Sequence, residues 1–161
     1  MSRKFSYKLI LMKYYKPIVK NIRRFCLLLF TIFMFSCTGV TDIDIEMDLP
    51  ITVQYNKEFV ITIKLINTSD KPQDLVSIDI GEKYLKGIAI IKTEPLFKES
   101  IHIPIENSQS YVFNKKINPK DSITIRIYCK AISHGDFGDD IDFCINSDFN
   151  FITKIARTVV K

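Results

Sequence analysis

Residues 25–39, FCLLLFTIFMFSCTG, constrain this chain more than any other stretch. Positions 25–35 are eleven residues, all apolar except Thr31, and the run stops at Ser36-Cys37. Asp42 and Asp44 follow closely, so the run cannot be lengthened. A membrane-spanning helix needs about 20 apolar residues and rarely has fewer than about 17. The apolar region of a secretory signal needs only about 7–15, behind a positively charged start. Residues 1–36 carry eight Lys or Arg and no acid. The segment therefore reads as a signal helix over residues 1–36. A retained signal anchor and a buried core helix are the alternatives. Met12 opens MKYYKPIVKNIRRF, a more ordinary signal start than Met1. Arg23-Arg24 raises twin-arginine export, but the flanking residues fit that signal poorly.

The stretch Met34-Phe35-Ser36-Cys37 resembles the lipobox of bacterial lipoproteins. Phe35 stands where that family usually has a small residue, and Met34 where it usually has Leu. The resemblance implies cleavage between Ser36 and Cys37 and a diacylglycerol on the Cys37 sulfur. It also implies a mature protein held at a bacterial membrane, facing the periplasm or the cell surface. One acyl chain anchors only marginally, whereas two together hold firmly.

The formal charge of +5 is misleading once the signal is set apart. Residues 37–161 hold 15 basic residues against all 18 acids, a net of about −3. A nucleic-acid binder concentrates Lys and Arg on its folded part. Here the basic excess sits in the signal, so nucleic acid is not an expected partner.

From residue 38 onward, apolar and polar residues alternate with period two, the pattern of half-buried strands. TDIDIEMDL alternates Asp42, Asp44, Glu46 and Asp48 with Ile43, Ile45, Met47 and Leu49. EFVITIKLIN puts Phe59, Ile61, Ile63 and Leu65 on one face. Further strands are expected at 75–80, 101–105, 110–116, 122–132, 140–146 and 151–160. GEKYLKGIAII (81–91) reads as a short helical turn and then a strand from Ile88. Turns are expected at 67–74, 118–121 and 133–140 from their Asn, Asp, Gly and Pro content. Short strands at this spacing predict an all-β, single immunoglobulin-like antiparallel sandwich, preceded by the signal helix. The expected organisation is a signal at 1–36, a lipidated N-terminus with an acidic tether or first strand at 37–49, and the sandwich at 50–161.

The order F-x-I-x-I-x-L-x-N-T-S-D-K-P (59–72), followed by N-P-K-D-S-I-T-I-R-I (118–127), resembles CARDB-like and related bacterial immunoglobulin-like domains. The resemblance covers about residues 50–146. It rests on turn and strand patterns, implies adhesion, assembly or scaffolding, and brings no catalytic residue. Asn67-Thr68-Ser69 is also an N-glycosylation pattern; in a bacterial chain it reads as a turn.

Four cysteines are present. The lipobox resemblance implies that Cys26 leaves with the signal and that Cys37 takes the lipid. A disulfide between Cys129 and Cys144 is natural in an exported protein. Strand parity opposes it. Cys129 shares a face with Ile123, Ile125 and Ile127, whereas Cys144 shares one with Asp140 and Asp142. Directly paired residues point to the same side of a sheet. The expectation is a buried thiol at Cys129 and a half-exposed one at Cys144, with a bulge needed for the bonded alternative.

Motifs for chemistry are sparse. His102 alternates with Ile101 and Ile103, a solvent-facing position, and His134 sits in an expected turn. Asp136-Phe137-Gly138 spells a kinase magnesium motif without the loops that give it meaning. Asp136, Asp139, Asp140 and Asp142 form a calcium candidate, since calcium takes six to eight oxygens; they lack EF-hand spacing. No catalytic residue and no cofactor are expected. The leading expectation is a non-enzymatic, lipid-anchored binding, adhesion or scaffolding module of the cell envelope, with a protein or envelope polymer as partner. The alternative is a lipid-anchored enzyme or small-ligand carrier using the acidic turn 134–142, recognisable by a concave pocket with convergent polar groups.

Overall fold

A computed structural model describes residues 42–161. The signal segment, Cys26, Ser36 and Cys37 lie outside these residues. Ten strands and one helical turn follow in order: β1 (Ile43–Asp48), β2 (Thr52–Val53), β3 (Glu58–Asn67), β4 (Gln73–Gly81), α1 (Glu82–Leu85), β5 (Ile88–Glu94), β6 (Glu99–Ile103), β7 (Ser108–Ile117), β8 (Ser122–Ala131), β9 (Gly135–Ile145) and β10 (Phe151–Val160). The Ile-rich alternation favours strands because β-branched side chains fit a pleated, half-buried surface.

Two sheets form, with strand orders β1-β3-β8-β5 and β2-β10-β9-β4-β7-β6. The first matches the A-B-E-D sheet of an immunoglobulin sandwich, and β10-β9-β4 matches its G-F-C sheet. The protein is an all-β sandwich of immunoglobulin-like type. The β6–β7 hairpin widens the second sheet beyond β4, and it enters the chain after β5. The pairing is antiparallel except where the two-residue β2 runs parallel to β10.

The core lies between the sheets. Ile61, Ile63 and Leu65 of β3 and Ile125, Ile127 and Cys129 of β8 meet Ile78, Ile80, Phe113, Ile141 and Phe143 of the other sheet. The expected face of β3 is the buried one, since alternate residues from Ile61 to Asn67 are buried. Tyr84 of α1 is fully buried, and its hydroxyl lies 3.1 Å from Thr158 Oγ1, which itself donates to the Pro50 carbonyl. That chain of bonds satisfies a buried phenol, as burial of polar groups requires.

Of the two readings of the acidic stretch, Ile43–Asp48 takes the first-strand one: it is edge strand β1, paired in full register with β3. Two local expectations change. Residues 135–140 are strand, not turn: β9 begins at Gly135, and the ladder with β10 runs from Val160↔Gly135 to Phe151↔Cys144. The Gly and Asp content that suggests a turn is tolerated because every residue in this stretch pairs with β10. Finally, the strands of Cys129 and Cys144, next to one another in the chain, do not pair, so the parity argument against a cross-strand bond does not come into play. β8 and β9 belong to different sheets, so the chain between them crosses the sandwich.

Candidate binding site on the six-stranded sheet

Adjacent strands place their outward residues in rows across the second sheet. One row is Glu99, Val112, Ser77, Cys144 and Phe151. The next is Ile101, Ser110, Asp79, Asp142 and Thr153. Beyond these, Ile103, Ser108 and Gly81 stand in line. The middle of this outer face is made of small or acidic residues, with larger apolar ones toward its margins. A trough results. Ser77, Asp79, Ser108, Ser110 and Cys144 are at most 8% exposed although they face away from the core.

Two turns build the walls. The β9–β10 turn is pinned by Ile145 N–H to Asn150 O at 2.8 Å and Asn146 N–H to Asp74 O at 2.8 Å. Asn146 takes φ 63°, a left-handed conformation that Asn tolerates better than most residues. This turn presents Asp148 and the 92%-exposed Phe149. The β6–β7 turn contributes Glu106 and Asn107 and is tied to α1 by the Glu82 N–H bond to Asn107 O at 2.8 Å. The resulting cleft, of about 550 Å³, has Asp79, Ser108, Asp140, Asp142 and Cys144 in its lining. A second opening of about 540 Å³ continues toward β6 and shares Asp79, Glu106, Asp148 and Phe151 with the first.

The floor is electrostatically unusual. Asp79 and Asp142 are direct register partners on β4 and β9. Like charges directly opposite one another destabilise a sheet. Asp142 is relieved by Thr153 Oγ1, which donates to Oδ1 at 2.5 Å. Among the described residues, Asp79 Oδ2 accepts only the weak thiol donor of Cys144, at 3.4 Å. Among the described residues, Asp79 Oδ1 and Ser108 Oγ are buried and have no protein hydrogen-bond partner. Burial pushes the Cys144 thiol up to about 12, and the nearby Asp79 charge acts in the same direction. Cys144 is therefore a neutral thiol.

The residues singled out from the sequence separate in space. Asp139, Asp140 and Asp142 line the cleft. Asp136 instead pairs with the Arg157 guanidinium at 2.5 Å, which holds its carboxyl below the usual carboxylate range. Asp139 Oδ2 accepts the Lys83 backbone N–H at 3.0 Å. The calcium arrangement thus does not assemble: Asp136 is engaged by Arg157, Asp139 by the Lys83 N–H and Asp142 by Thr153. Among the described residues no three His, Cys, Asp or Glu side chains converge to hold a metal ion. His134 stacks on Tyr55 at 4.7 Å and is not part of the cleft lining. His102 is exposed, with Nδ1 3.2 Å from Glu82.

Both described cysteines are free thiols. Cys129 faces the core, where burial pushes it up to about 12. Cys144 has the outward parity expected of it but is 2% exposed, because the trough and the Asp148 turn cover it. Asp79 and Ser108 did not stand out from the sequence. In LVSIDIG, Ser77 and Asp79 look like ordinary solvent-side positions of a strand. Their burial comes from small neighbours on β7 and β9 and from overhanging turns, which no local pattern encodes.

No protein-family model matches the chain. None of the curated proteins matches it either. Among solved structures, native Escherichia coli alpha-2-macroglobulin aligns with 74% of this chain at a TM-score of 0.52 and 14% identity. Trypsin-activated E. coli alpha-2-macroglobulin aligns over 74% at 0.48 and 16% identity. A Salmonella alpha-2-macroglobulin mutant aligns over 74% at 0.48 and 11% identity. In each case this chain spans 7% of the other protein's length. At such identities the likeness to the native E. coli structure is one of fold, and it agrees with the immunoglobulin-like strand order.

Proposed function

We propose that this protein is a non-enzymatic binding module of the bacterial cell envelope, tethered to a membrane by lipid on Cys37, with the trough of the six-stranded sheet as its partner site. The lipobox-like Met34-Phe35-Ser36-Cys37 supports the anchor, and the start of β1 at Ile43 leaves only a few residues between it and the sandwich. The strand and turn resemblance to CARDB-like domains supports a binding or scaffolding role. The observation that carries the partner site is the pair of unpartnered polar atoms, Asp79 Oδ1 and Ser108 Oγ, in the cleft floor. A buried polar atom without a partner costs roughly 1–3 kcal/mol. Such a cost at a concave, acid-lined surface fits a site that is completed by a ligand.

The test combines fractionation with crosslinking in the native host. The wild-type protein should sediment with membranes, and Cys37→Ala should leave them. A photoreactive amino acid at Phe149, in the trough wall, should give a discrete adduct that the same group at Ile51, outside the cleft lining, does not. Membrane retention of Cys37→Ala would remove the lipid anchor, and adducts at Ile51 alone would remove the trough.

A further inference from the structure

We infer that the trough receives a cationic side chain, a lysine ammonium or an arginine guanidinium, presented by an extended segment of another protein. This deepens the reading above and rests on the trough being the partner site. Among the described residues, Asp79 supplies a carboxylate oxygen that is buried, unpartnered and at the cleft floor, and Ser108, one row along on β7, supplies a second free oxygen in the same lining. Asp142 stands directly opposite Asp79, so the floor holds two facing carboxylates. Asp140, Asp148 and Glu106 add the same sign around them. Lys83 and Lys86 at the α1 side offset only part of it.

A group with several N–H donors satisfies the free oxygens and relieves the facing charges together. Charge-assisted bonds of this kind are about twice as strong as neutral ones. Phe149 and Phe151 line the adjoining opening, and aromatic faces attract cations as well. A bare metal ion is a poorer occupant, because no three ligating side chains converge among the described residues. The exposed rim residues Ile101, Phe149 and Phe151 offer apolar contact on either side of the charged floor. Two connected openings of about 550 and 540 Å³ exceed what one ammonium needs. They suit a peptide that sets its cation in the floor and lays apolar neighbours on the rim.

The test uses the full-length protein in detergent and a fluorescent tetralysine peptide followed by anisotropy. Saturable binding is expected, absent for the same peptide with acetylated lysines. Asp79→Asn and Asp148→Asn should each weaken it by about tenfold or more, as loss of a paired charge at a site does. Asp136→Asn removes the same charge outside the cleft and should change affinity less than about twofold at moderate salt. If Asp79→Asn fails to fold, Asp148→Asn in the exposed turn decides. Absence of binding, or equal weakening by Asp136→Asn, overturns the proposal. Spermine binding as tightly as tetralysine also overturns it, in favour of a free polyamine. If tetralysine fails while the Phe149 photo-adduct persists in cells, the trough remains the partner site and only its cationic occupant is lost.

Discussion

Asn67 Nδ2 lies 3.0 Å from the carbonyl oxygen of Asn118, and this contact ties together two turns 51 residues apart in the chain. The same amide donates toward Lys71 O at 2.7 Å and Ile117 O at 3.1 Å, while Asn67 Oδ1 accepts from Ser69 N and Oγ. Asn67 is fully buried. The two turn motifs that stand out in the sequence, NTSDKP and NPKD, are thus parts of one structure. Replacing Asn67 by Ala leaves several carbonyls short of a donor. The expected loss is about 3 kcal/mol, read from the midpoint of urea unfolding. The buried amide also makes Asn67 a poor glycan acceptor.

Alkaline pH should destabilise the fold. Burial raises Tyr84 from 10.0 to about 12, and both Cys129 and Cys144 from 9.0 to about 12. Each group binds its proton more tightly when folded. Its contribution is complete below the unfolded value and is lost as pH rises through the folded one. Stability limited by these groups should hold up to about pH 9 and fall between about 9 and 12. Thermal unfolding followed across that range checks this; a transition temperature unchanged from pH 9 to 12 would contradict it.

Cys129 and Cys144 should both remain reduced and slow to react. The thiolate is the reactive form, and burial holds both as thiols. Alkylation followed by peptide mapping should label them in denaturant and barely at all in the native protein at pH 8. A Cys129–Cys144 crosslinked peptide would contradict the two-sheet separation of β8 and β9.

Gly81 closes β4 against Asp139. A Cβ at this position would fall 2.3 Å from the Asp139 carboxyl carbon. Gly81→Ala should displace that carboxylate from the Lys83 N–H and cost about 1–3 kcal/mol. Asp136→Asn, which breaks only the exposed pair with Arg157, should cost less than about 1 kcal/mol. Comparing the two unfolding midpoints separates packing from surface charge.

Alternation made most strands legible. In EFVITIKLIN the apolar positions of one face are the buried ones, and Gly81 with Ile88 bracket the helical turn where the residue types place it. β9 was harder. Its Gly and Asp residues satisfy a turn pattern, and only the long ladder with β10 makes them strand. The site was legible in part. Asp136, Asp139, Asp140 and Asp142 stand out as a cluster of acids; the last three line the cleft, whereas Asp136 pairs with Arg157 outside it. Asp79 and Ser108 are polar residues on the solvent side of their strands, and nothing local distinguishes them. Their burial depends on strand order and on two turns folding over the sheet, both products of tertiary structure.

The tether to the membrane is the most direct point of attack on this account. Intact mass measurement of the mature N-terminal peptide, with Cys37→Ala beside it, addresses it in one experiment. The account expects residue one to be Cys37 carrying a diacylglyceryl group, and that species to vanish in the variant. An N-terminus at Met1 or Met12, or cleavage at Cys37 without lipid, would contradict it.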